Sequence, residues 1–225
     1  MPTTLITGAN RGIGLELAKQ AMADGPVIGT ARDPKAAQHL IDAGVRVVEL
    51  DAADEASIKA LAVAVGDEPI DLLINNAGVF PDNGKTFEDL DLETMTGCLR
   101  TNVAGPIGVT RSLLPNLLRS EHPKVVHVSS TMGSLELAQE ATKNHAYRAS
   151  KAALNMVTVL MANELRERGV CCVCVHPGWV QTDMGGAKAA LTPEQSARDI
   201  LGLAHRLGMA ESGSFLRHDG EALPW

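Results

Sequence analysis

The chain has 225 residues, of which 45% are hydrophobic and 21% charged, and its formal net charge is −7. This composition excludes a disordered chain, and this length supports a full hydrophobic core in one large domain or two small ones. The acidic balance argues against a nucleic-acid-binding protein or a protein of anionic membranes, although one local phosphate site remains compatible with it. Aromatic residues make up only 3%, and Tyr147 is the sole tyrosine.

The amino-terminal residues lack the basic and apolar segments of a secretory signal, and no stretch approaches the ~20 apolar residues of a membrane span. Four cysteines are present, and Cys171, Cys172 and Cys174 lie in the apolar run VCCVCV. Adjacent strand residues point to opposite faces, so these thiols cannot converge on one metal. We therefore expect buried free thiols, no metal site and a reducing, cytoplasmic location.

Short apolar runs alternate with longer segments of helical periodicity along the whole chain. The apolar runs predict strands at 3–7, 27–31, 45–50, 71–75, 124–129, 170–175 and 213–217. The longer segments predict helices at 12–24, 34–43, 54–65, 89–119 and 147–168. Continuous apolar runs are typical of strands buried on both faces. The alternation predicts an α/β fold, a doubly wound parallel (Rossmann) sheet with helices on both faces, whose ligands bind at the carboxyl ends of the strands.

A glycine-rich loop, TGANRGIG (7–14), lies between the first predicted strand and the first predicted helix. Its spacing is G-x-x-x-G-x-G rather than the common G-x-G-x-x-G, but the physical logic is the same. Gly8 permits a tight turn, Gly12 lets the backbone approach a pyrophosphate, and Gly14 allows close packing of the helix. A plain glycine turn is the alternative. The flanking strand and helix favour a dinucleotide-binding loop.

The end of the second predicted strand bears on the choice between NAD and NADP. An acidic residue there binds the ribose 2′-hydroxyl of NAD, whereas an arginine accommodates the 2′-phosphate of NADP. The strand ends at Ala31 and is followed by Arg32 and Asp33, and Arg11 of the glycine loop can approach the same phosphate. Asp33 lies 19 residues beyond Gly14, near the spacing of an NAD-binding acid, so NAD stays open. The two cations favour NADP.

Tyr147 and Lys151 lie four residues apart in YRASK, near the start of a predicted helix, and share one helix face. A nearby cation lowers the pKa of a tyrosine, ordinarily about 10, so the pair suits proton exchange with a carbonyl/alcohol couple. A solvent-exposed tyrosine and lysine at helical spacing are the common alternative.

Further polar side chains follow two predicted strands or interrupt a helix. Ser129 and Ser130 end the fifth strand, where a hydroxyl can bond a developing oxyanion, and Asn75 and Asn76 end the fourth. Asn102 interrupts the long helical stretch, where its amide can bond backbone or water and kink the helix. Each of these residues alone also fits a turn or a cap.

The chain resembles the short-chain dehydrogenase/reductase family over almost its whole length. The motifs, in family order and spacing, are TGANRGIG, NNAG, the asparagine of TNVAG, the serine pair after VVHV, YRASK and HPGWVQTDM. The chain length and the ending FLRHDGEALPW resemble its C-factor/Sniffer-like carbonyl reductase subgroup. The resemblance implies one Rossmann-fold dinucleotide-binding and catalytic domain over 1–225, with a short substrate lid near 183–192.

By this resemblance, the catalytic tetrad of the family falls on Asn102, Ser130, Tyr147 and Lys151. Tyr147 is implied to be the acid in carbonyl reduction, and Lys151 to bind the nicotinamide ribose and to lower the Tyr147 pKa. Ser130 is implied to orient the substrate oxygen, and Asn102 to hold a water that relays protons to Lys151. Ser130 precedes Tyr147 by 17 residues, more than is usual, so we expect an insertion at about 134–145.

The resemblance also implies where the cofactor binds. Asp51 is expected to contact the adenine amino group, and Asn76 and Gly78 to line the adenine ribose. The segment from Pro177 to Thr182 is expected to hold the nicotinamide carboxamide. The full expected set is Gly8, Asn10, Arg11, Gly12, Ile13, Gly14, Arg32, Asp51, Asn76, Ala77, Gly78, Tyr147, Lys151, Pro177, Gly178, Val180 and Thr182.

Two functions are therefore weighed. The first is an NADP(H)-dependent oxidoreductase that reduces a ketone or aldehyde, and the alternative is a nucleotide-binding signalling or regulatory protein of the C-factor type. An intact Tyr/Lys pair favours turnover, and the length leaves no room for the larger substrate domain of a sugar-nucleotide epimerase or dehydratase. The family pairs the helices that here span about 102–119 and 148–168, which implies a homo-oligomer, a dimer or tetramer.

Four further side chains and the predicted lid complete these expectations. His176 and His127 are expected to be structural histidines, and Met156 and Met161 to fill the core on a helix. The segment after Thr182 is short and glycine-containing, so we expect an open, permissive substrate site.

Overall fold

Seven parallel strands form the centre of the computed structural model, which describes residues 1–225. They are β1 (Thr4–Ile6), β2 (Val27–Ala31), β3 (Arg46–Glu49), β4 (Leu72–Asn75), β5 (Lys124–Val128), β6 (Cys171–His176) and β7 (Phe215–Arg217). The strand order is β3-β2-β1-β4-β5-β6-β7, and every neighbouring pair is parallel. The order reverses between β1 and β4, and doubly wound sheets bind their ligands at that point, so the predicted Rossmann fold is confirmed.

Eight α-helices flank the sheet. They are α1 (Gly12–Ala21), α2 (Gln38–Asp42), α3 (Glu55–Val65), α4 (Leu92–Leu99), α5 (Gly105–Ser112), α6 (Leu114–Leu117), α7 (His145–Leu165) and α8 (Pro193–Arg206). One core of 24 buried residues lies between one sheet face and α1 and α8, and a second of 16 lies between the other face and α3, α5 and α7. None of the helices combines the length and apolarity that crossing a bilayer requires.

The helix predicted over 89–119 is not continuous. α4 ends at Leu99, a π-helical turn spans Arg100–Ala104, and α5 and α6 follow. Asn102 lies in this turn, where its amide donates to the carbonyl of Val79 at 2.9 Å and its Oδ1 accepts from the Val79 amide at 2.8 Å. The helix thus departs from regular α-helical bonding at this internal asparagine, as predicted, and the side chain bonds to a neighbouring loop.

Three other expectations need correction. β3 is an edge strand whose residues are exposed or half-buried, so it is not buried on both faces. Met156 is 61% exposed on α7 and does not fill the core, whereas Met161 packs against the second core. The helix predicted over 147–168 begins at His145, and α8 lies outside the predicted helices.

Candidate active site

The loops that follow β1, β4, β5 and β6 converge at the carboxyl edge of the sheet. The first two are in direct contact, since a Cβ added to Gly8 would stand 3.1 Å from the Cα of Ala77. The loop after β6 reaches the glycine loop as well, because a Cβ on Gly12 would stand 3.2 Å from the Thr182 methyl carbon. The glycine loop, the NNAG turn and the loop after β6, predicted from separate parts of the chain, therefore meet at this edge of the sheet, which is called the cleft below.

The glycine loop has the backbone shape that its sequence predicts. Gly8 and Gly12 have φ angles of 66° and 54°, in the left-handed region that residues with a Cβ rarely adopt. Gly14 lies in the first turn of α1, against the loop itself, and a Cβ there would clash with the carbonyl oxygen of Gly8 and stand 2.6 Å from Asn76 Nδ2. A side chain at Gly14 would push the amino end of α1 away from the loop.

Asn76 braces this loop. Its Nδ2 donates to the carbonyl oxygens of Thr7 and Gly8 at 3.0 and 3.1 Å, and its backbone amide donates to the Thr7 hydroxyl. The side chain is therefore committed to shaping the loop, and any contact with an adenine ribose, as implied by the resemblance, falls to its remaining oxygen.

The residues after β2 are arranged around an exposed corner. Arg32 is exposed, and the Asp33 carboxylate accepts from the Lys35 amide at 2.9 Å, where it caps a 3₁₀ turn. Arg11 forms an ion pair of 2.9 Å with Asp183, so the glycine loop and the predicted lid are joined across the cleft. Asp51 is exposed beyond β3, and its Oδ1 accepts from Ala53 at 2.9 Å.

Tyr147 stands near the amino end of α7 and is only 8% exposed. Its ring stacks on Phe80 with centroids 4.2 Å apart. Burial raises the pKa of Tyr147 to about 12, and a hydrogen bond from Ser130 acts in the opposite direction. The downward shift expected from Lys151 is therefore wrong for this structure: the lowering comes from Ser130, and burial of the phenol outweighs it.

Lys151 lies one helical turn beyond Tyr147 and is 5% exposed. Its Nζ donates to the Val128 carbonyl at 2.8 Å and lies 5.6 Å from the centroid of the Tyr147 ring. Burial lowers the pKa of Lys151 to about 8. An ammonium has three N–H donors, and this one has a single acceptor in the protein, so two donors are left for a ligand. A Cβ on Gly78 would stand 3.9 Å from Nζ.

The two serines after β5 have different surroundings. Ser129 donates to Asn155 Oδ1 at 2.6 Å in the core, whereas the Ser130 hydroxyl accepts from the Met132 amide at 3.1 Å and lies beside Tyr147. The structure therefore brings Ser130, and not Ser129, together with the phenol.

Asn102 is fully buried, and its amide joins a small polar cluster beneath Tyr147. Besides its two bonds to Val79, Nδ2 donates to the Ser150 hydroxyl at 3.0 Å, and that hydroxyl donates to the carbonyl of Tyr147 at 2.7 Å. The amide hydrogens of Asn102 are thus engaged, whereas Oδ1 accepts only the one bond from Val79 and keeps a second lone pair.

The segment after β6 forms a closed loop. The Pro177 carbonyl accepts from Ser196 at 2.7 Å, and Gly178 has a φ of 85°. Val180 is buried, and bridges Leu191 at the base of the predicted lid, while the Thr182 hydroxyl accepts from Gly185 at 3.1 Å. Asn10 and Ile13 are partly buried in the glycine loop.

His127 and His176, expected to be structural, lie in β5 and β6, but both ring nitrogens of His127 and Nδ1 of His176 are buried without a hydrogen-bond partner. His127 is fully buried in β5, where burial lowers its pKa to about 3. Burial also lowers the pKa of His176 to about 4, with further contributions from His218 and Arg217. His218 pairs with Asp199 at 2.8 Å, a contact that the sequence did not indicate.

Sequence reasoning also missed Phe80 and Asp82, which both contact Tyr147. Phe80 supplies the stacked ring, and the Asp82 carboxylate accepts from the backbone amide of Tyr147. Both belong to VFPDNG, which follows NNAG and has the composition of an ordinary turn. Nothing in this local pattern indicates a contact with a helix more than sixty residues away.

Known proteins share both the sequence pattern and this geometry. The family model described as short chain dehydrogenase matches residues 2–191. C-signal from Myxococcus xanthus is 41% identical over 170 residues, which are 75% of this chain and all of that protein.

Two solved structures superpose on nearly every residue. The NADPH-bound carbonyl reductase from chicken fatty liver has a TM-score of 0.93 at 34% identity and covers 100% of this chain and 99% of its own. The carbonyl reductase Sniffer of D. melanogaster has a TM-score of 0.91 at 29% identity, with both chains covered in full. The chain therefore belongs to the short-chain dehydrogenase family, and within it is similar to C-signal and the Sniffer-like carbonyl reductases.

Proposed function

We propose that this protein is an NADP(H)-dependent reductase of ketones and aldehydes with Asn102, Ser130, Tyr147 and Lys151 as its tetrad. The observation that carries the proposal is Lys151, a buried ammonium with one protein acceptor, at 5.6 Å from the ring of the sole tyrosine. The chicken relative was solved with NADPH, which supports the same cofactor here. One catalytic domain then spans 1–225.

The residues around the cleft fit a nicotinamide dinucleotide. The glycine loop leaves no room for a side chain at Gly8 or Gly14 and presents the amino end of α1, as a pyrophosphate requires. The two free donors of Lys151 suit a pair of ribose hydroxyls beside Gly78. In this proposal, Pro177 and Gly178 adjoin the nicotinamide carboxamide, and Asp51 contacts the adenine amino group.

When bound, the nicotinamide supplies or accepts the hydride. Tyr147 is protonated throughout the neutral range, because its pKa is about 12, and so holds the proton that a reduced carbonyl oxygen requires. Ser130 orients that oxygen by hydrogen bonding. The Lys151 ammonium stabilises the phenolate that remains on Tyr147 after proton transfer. Asn102 lies in the π-helical turn and donates to the Ser150 hydroxyl, which in turn donates to the carbonyl of Tyr147.

The proposed preference for NADP is based on the residues that follow β2 and on Arg11 of the glycine loop. Arg32 and Arg11 are exposed there, and the Asp33 carboxylate is engaged with the Lys35 amide. A capping carboxylate is less available to a ribose hydroxyl, which weakens the argument for NAD. A 2′-phosphate would compete with Asp183 for Arg11.

The lid and the outer face of α7 complete the proposal. The segment 183–192 covers the substrate side as a short loop closed at its base by the bridge from Val180 to Leu191, and we expect it to admit varied carbonyl compounds. Met156 and Leu160 are 61% and 58% exposed one turn apart on α7, which supports pairing of this face in a homo-oligomer.

The test is a panel of activated ketones and aldehydes offered with NADPH and with NADH, followed by the loss of reduced-nicotinamide absorbance. We expect turnover with NADPH that Tyr147→Phe abolishes and that Arg148→Lys, at the neighbouring, half-buried position, retains. Cofactor binding without turnover on any carbonyl would contradict the proposal and favour the regulatory function.

A further inference from the structure

Asp82 is a fully buried carboxylate in the loop between β4 and α4. It forms no ion pair with any lysine, arginine or histidine. A buried, unpaired carboxylate is costly unless hydrogen bonds and favourable dipoles compensate it. The hydrogen-bond partners of Asp82 therefore show what compensates the burial of its charge.

All side-chain partners of Asp82 are backbone amides in the first turn of α7. Oδ2 accepts from Ala146 at 2.6 Å, and Oδ1 accepts from Tyr147 at 3.2 Å. The amino end of a helix carries unpaired N–H groups and a partial positive charge, which a carboxylate neutralises. The local residue Asn144 provides no such cap, since its own side chain accepts from Gly84 at 2.7 Å.

The same loop holds Tyr147 at its ring as well. Phe80, two residues before Asp82, stacks on the phenol at 4.2 Å, and Asn76 and Gly78 begin the loop at the dinucleotide cleft. The short segment from Phe80 to Asp82 thus contacts both the backbone amide and the ring of the only tyrosine. Rotation of the first turn of α7 would have to break the hydrogen bonds and the stacking together.

We infer that Asp82 is the positioning residue for Tyr147, fixing the phenol in the cleft through the backbone amides of Ala146 and Tyr147. The catalytic part of this inference rests on the proposed function. The structural part does not, because it concerns where the phenol sits in the folded chain.

The experiment compares Asp82→Asn and Asp82→Ala with Asp89→Asn. Asp89 is a matched control, an exposed aspartate in the same loop that accepts from the Thr86 amide at 3.0 Å. Amide hydrogen exchange by NMR should show faster exchange at Ala146 and Tyr147 in both Asp82 variants, with the later turns of α7 unchanged. The control should match the wild type.

The sole tyrosine supplies a second readout that needs no substrate. Burial holds the pKa of Tyr147 at about 12, so a loosened first turn should lower it toward 10, as measured by tyrosinate absorbance directly after a pH jump. With carbonyl and NADPH, kcat should fall roughly 10- to 100-fold while the NADPH Kd stays within about twofold. The Asn variant, which keeps one acceptor, should retain more activity than the Ala variant.

The outcomes separate the two proposals. Unchanged exchange and an unchanged tyrosine titration in folded Asp82→Asn would overturn the positioning role, whatever the activity. Faster exchange and a lowered Tyr147 pKa in a protein without any reductase activity would uphold the positioning role and reject the proposed function. A parallel loss of NADPH binding and kcat, without a change in the Tyr147 titration, would overturn the positioning role and show that Asp82 only stabilises the fold.

Discussion

Phe80 and Tyr147 stack with ring centroids 4.2 Å apart and an angle of 28° between their planes. Phe80 follows the NNAG turn by only two residues, so the loop that shields the phenol from water also contacts the glycine loop. Replacing Phe80 with Ala should lower the free energy of unfolding by about 1 kcal/mol through the lost stacking and reduce turnover. Urea denaturation measures the first effect. Leu92→Ala, at an 84% exposed position, is the control and should change neither quantity appreciably.

Tyr147→Phe should abolish turnover and flatten the alkaline stability profile. The pKa of Tyr147 is about 12 in the folded chain against about 10 unfolded, so its contribution to stability is complete below pH 10 and is lost as the pH rises to 12. Without the phenol, this loss of up to ~1.4 kcal/mol per pH unit disappears. Equilibrium unfolding between pH 9 and 12, roughly the window set by the two pKa values, tests the expectation. Identical slopes for the two proteins would contradict the burial of the phenol.

Gly14→Ala should prevent dinucleotide binding and destabilise the fold, because its Cβ would stand 2.6 Å from Asn76 Nδ2 and clash with the Gly8 carbonyl. The matched change is Gly202→Ala inside α8, where the only neighbour of the added carbon is the end of the flexible Arg206 side chain at 3.8 Å. That variant should gain up to about 1 kcal/mol from helix propensity. Thermal unfolding and NADPH titration of both proteins test the pair, and a Gly14→Ala protein that binds NADPH normally would contradict the loop assignment.

His127 should make the protein sensitive to acid. Its folded pKa of about 3 lies below the ordinary value of 6.5, so its contribution to stability is complete above pH 6.5 and is lost as the pH falls to 3. Replacing it with Asn should reduce the slope of unfolding free energy in this window by up to ~1.4 kcal/mol per pH unit. The exposed His39→Asn is the control. An unaltered slope in His127→Asn would show that another group causes the acid sensitivity.

Asp183→Asn should tighten NADPH binding, because it releases Arg11 from its 2.9 Å ion pair at the cofactor corner. The gain is expected to be only a few-fold, since both side chains are exposed and such pairs contribute about 0–1 kcal/mol. Arg32→Ala should weaken NADPH binding about tenfold or more, the loss expected for one charge-assisted hydrogen bond. The NADH Kd should change in neither variant. Equal effects on NADPH and NADH would reject both arginines as 2′-phosphate ligands.

Features that depend on neighbouring residues in the chain were predictable from the sequence. The apolar runs gave all seven strands to within a few residues, and glycine spacing located the loop at Gly8 to Gly14, because backbone freedom and periodicity are local properties. Features that depend on distant partners were not. The deformation at Asn102 needs Val79, the cap at Tyr147 needs Asp82, and Met156 is exposed because no element covers that face of α7.

The pKa of Tyr147 was expected to fall but rises, and this outcome also depends on residues distant in the chain. A motif shows that Lys151 is near, but the magnitude of desolvation depends on how many other segments enclose the phenol. Phe80 and the polar layer of Ser150 and Asn102 do so here, and only the folded chain reveals them together.

The four cysteines can serve as built-in probes of how often the fold opens, because their alkylation rates depend on exposure. All are free and buried, and burial raises the pKa of Cys174 to about 12 and of Cys171 to about 11, so alkylation at neutral pH requires transient exposure. Cys98 packs against Tyr147 at the cleft, whereas Cys172 lies in the sheet core. The labelling rate of Cys98 therefore reports local opening around Tyr147, and that of Cys172 reports global unfolding, in the same molecule.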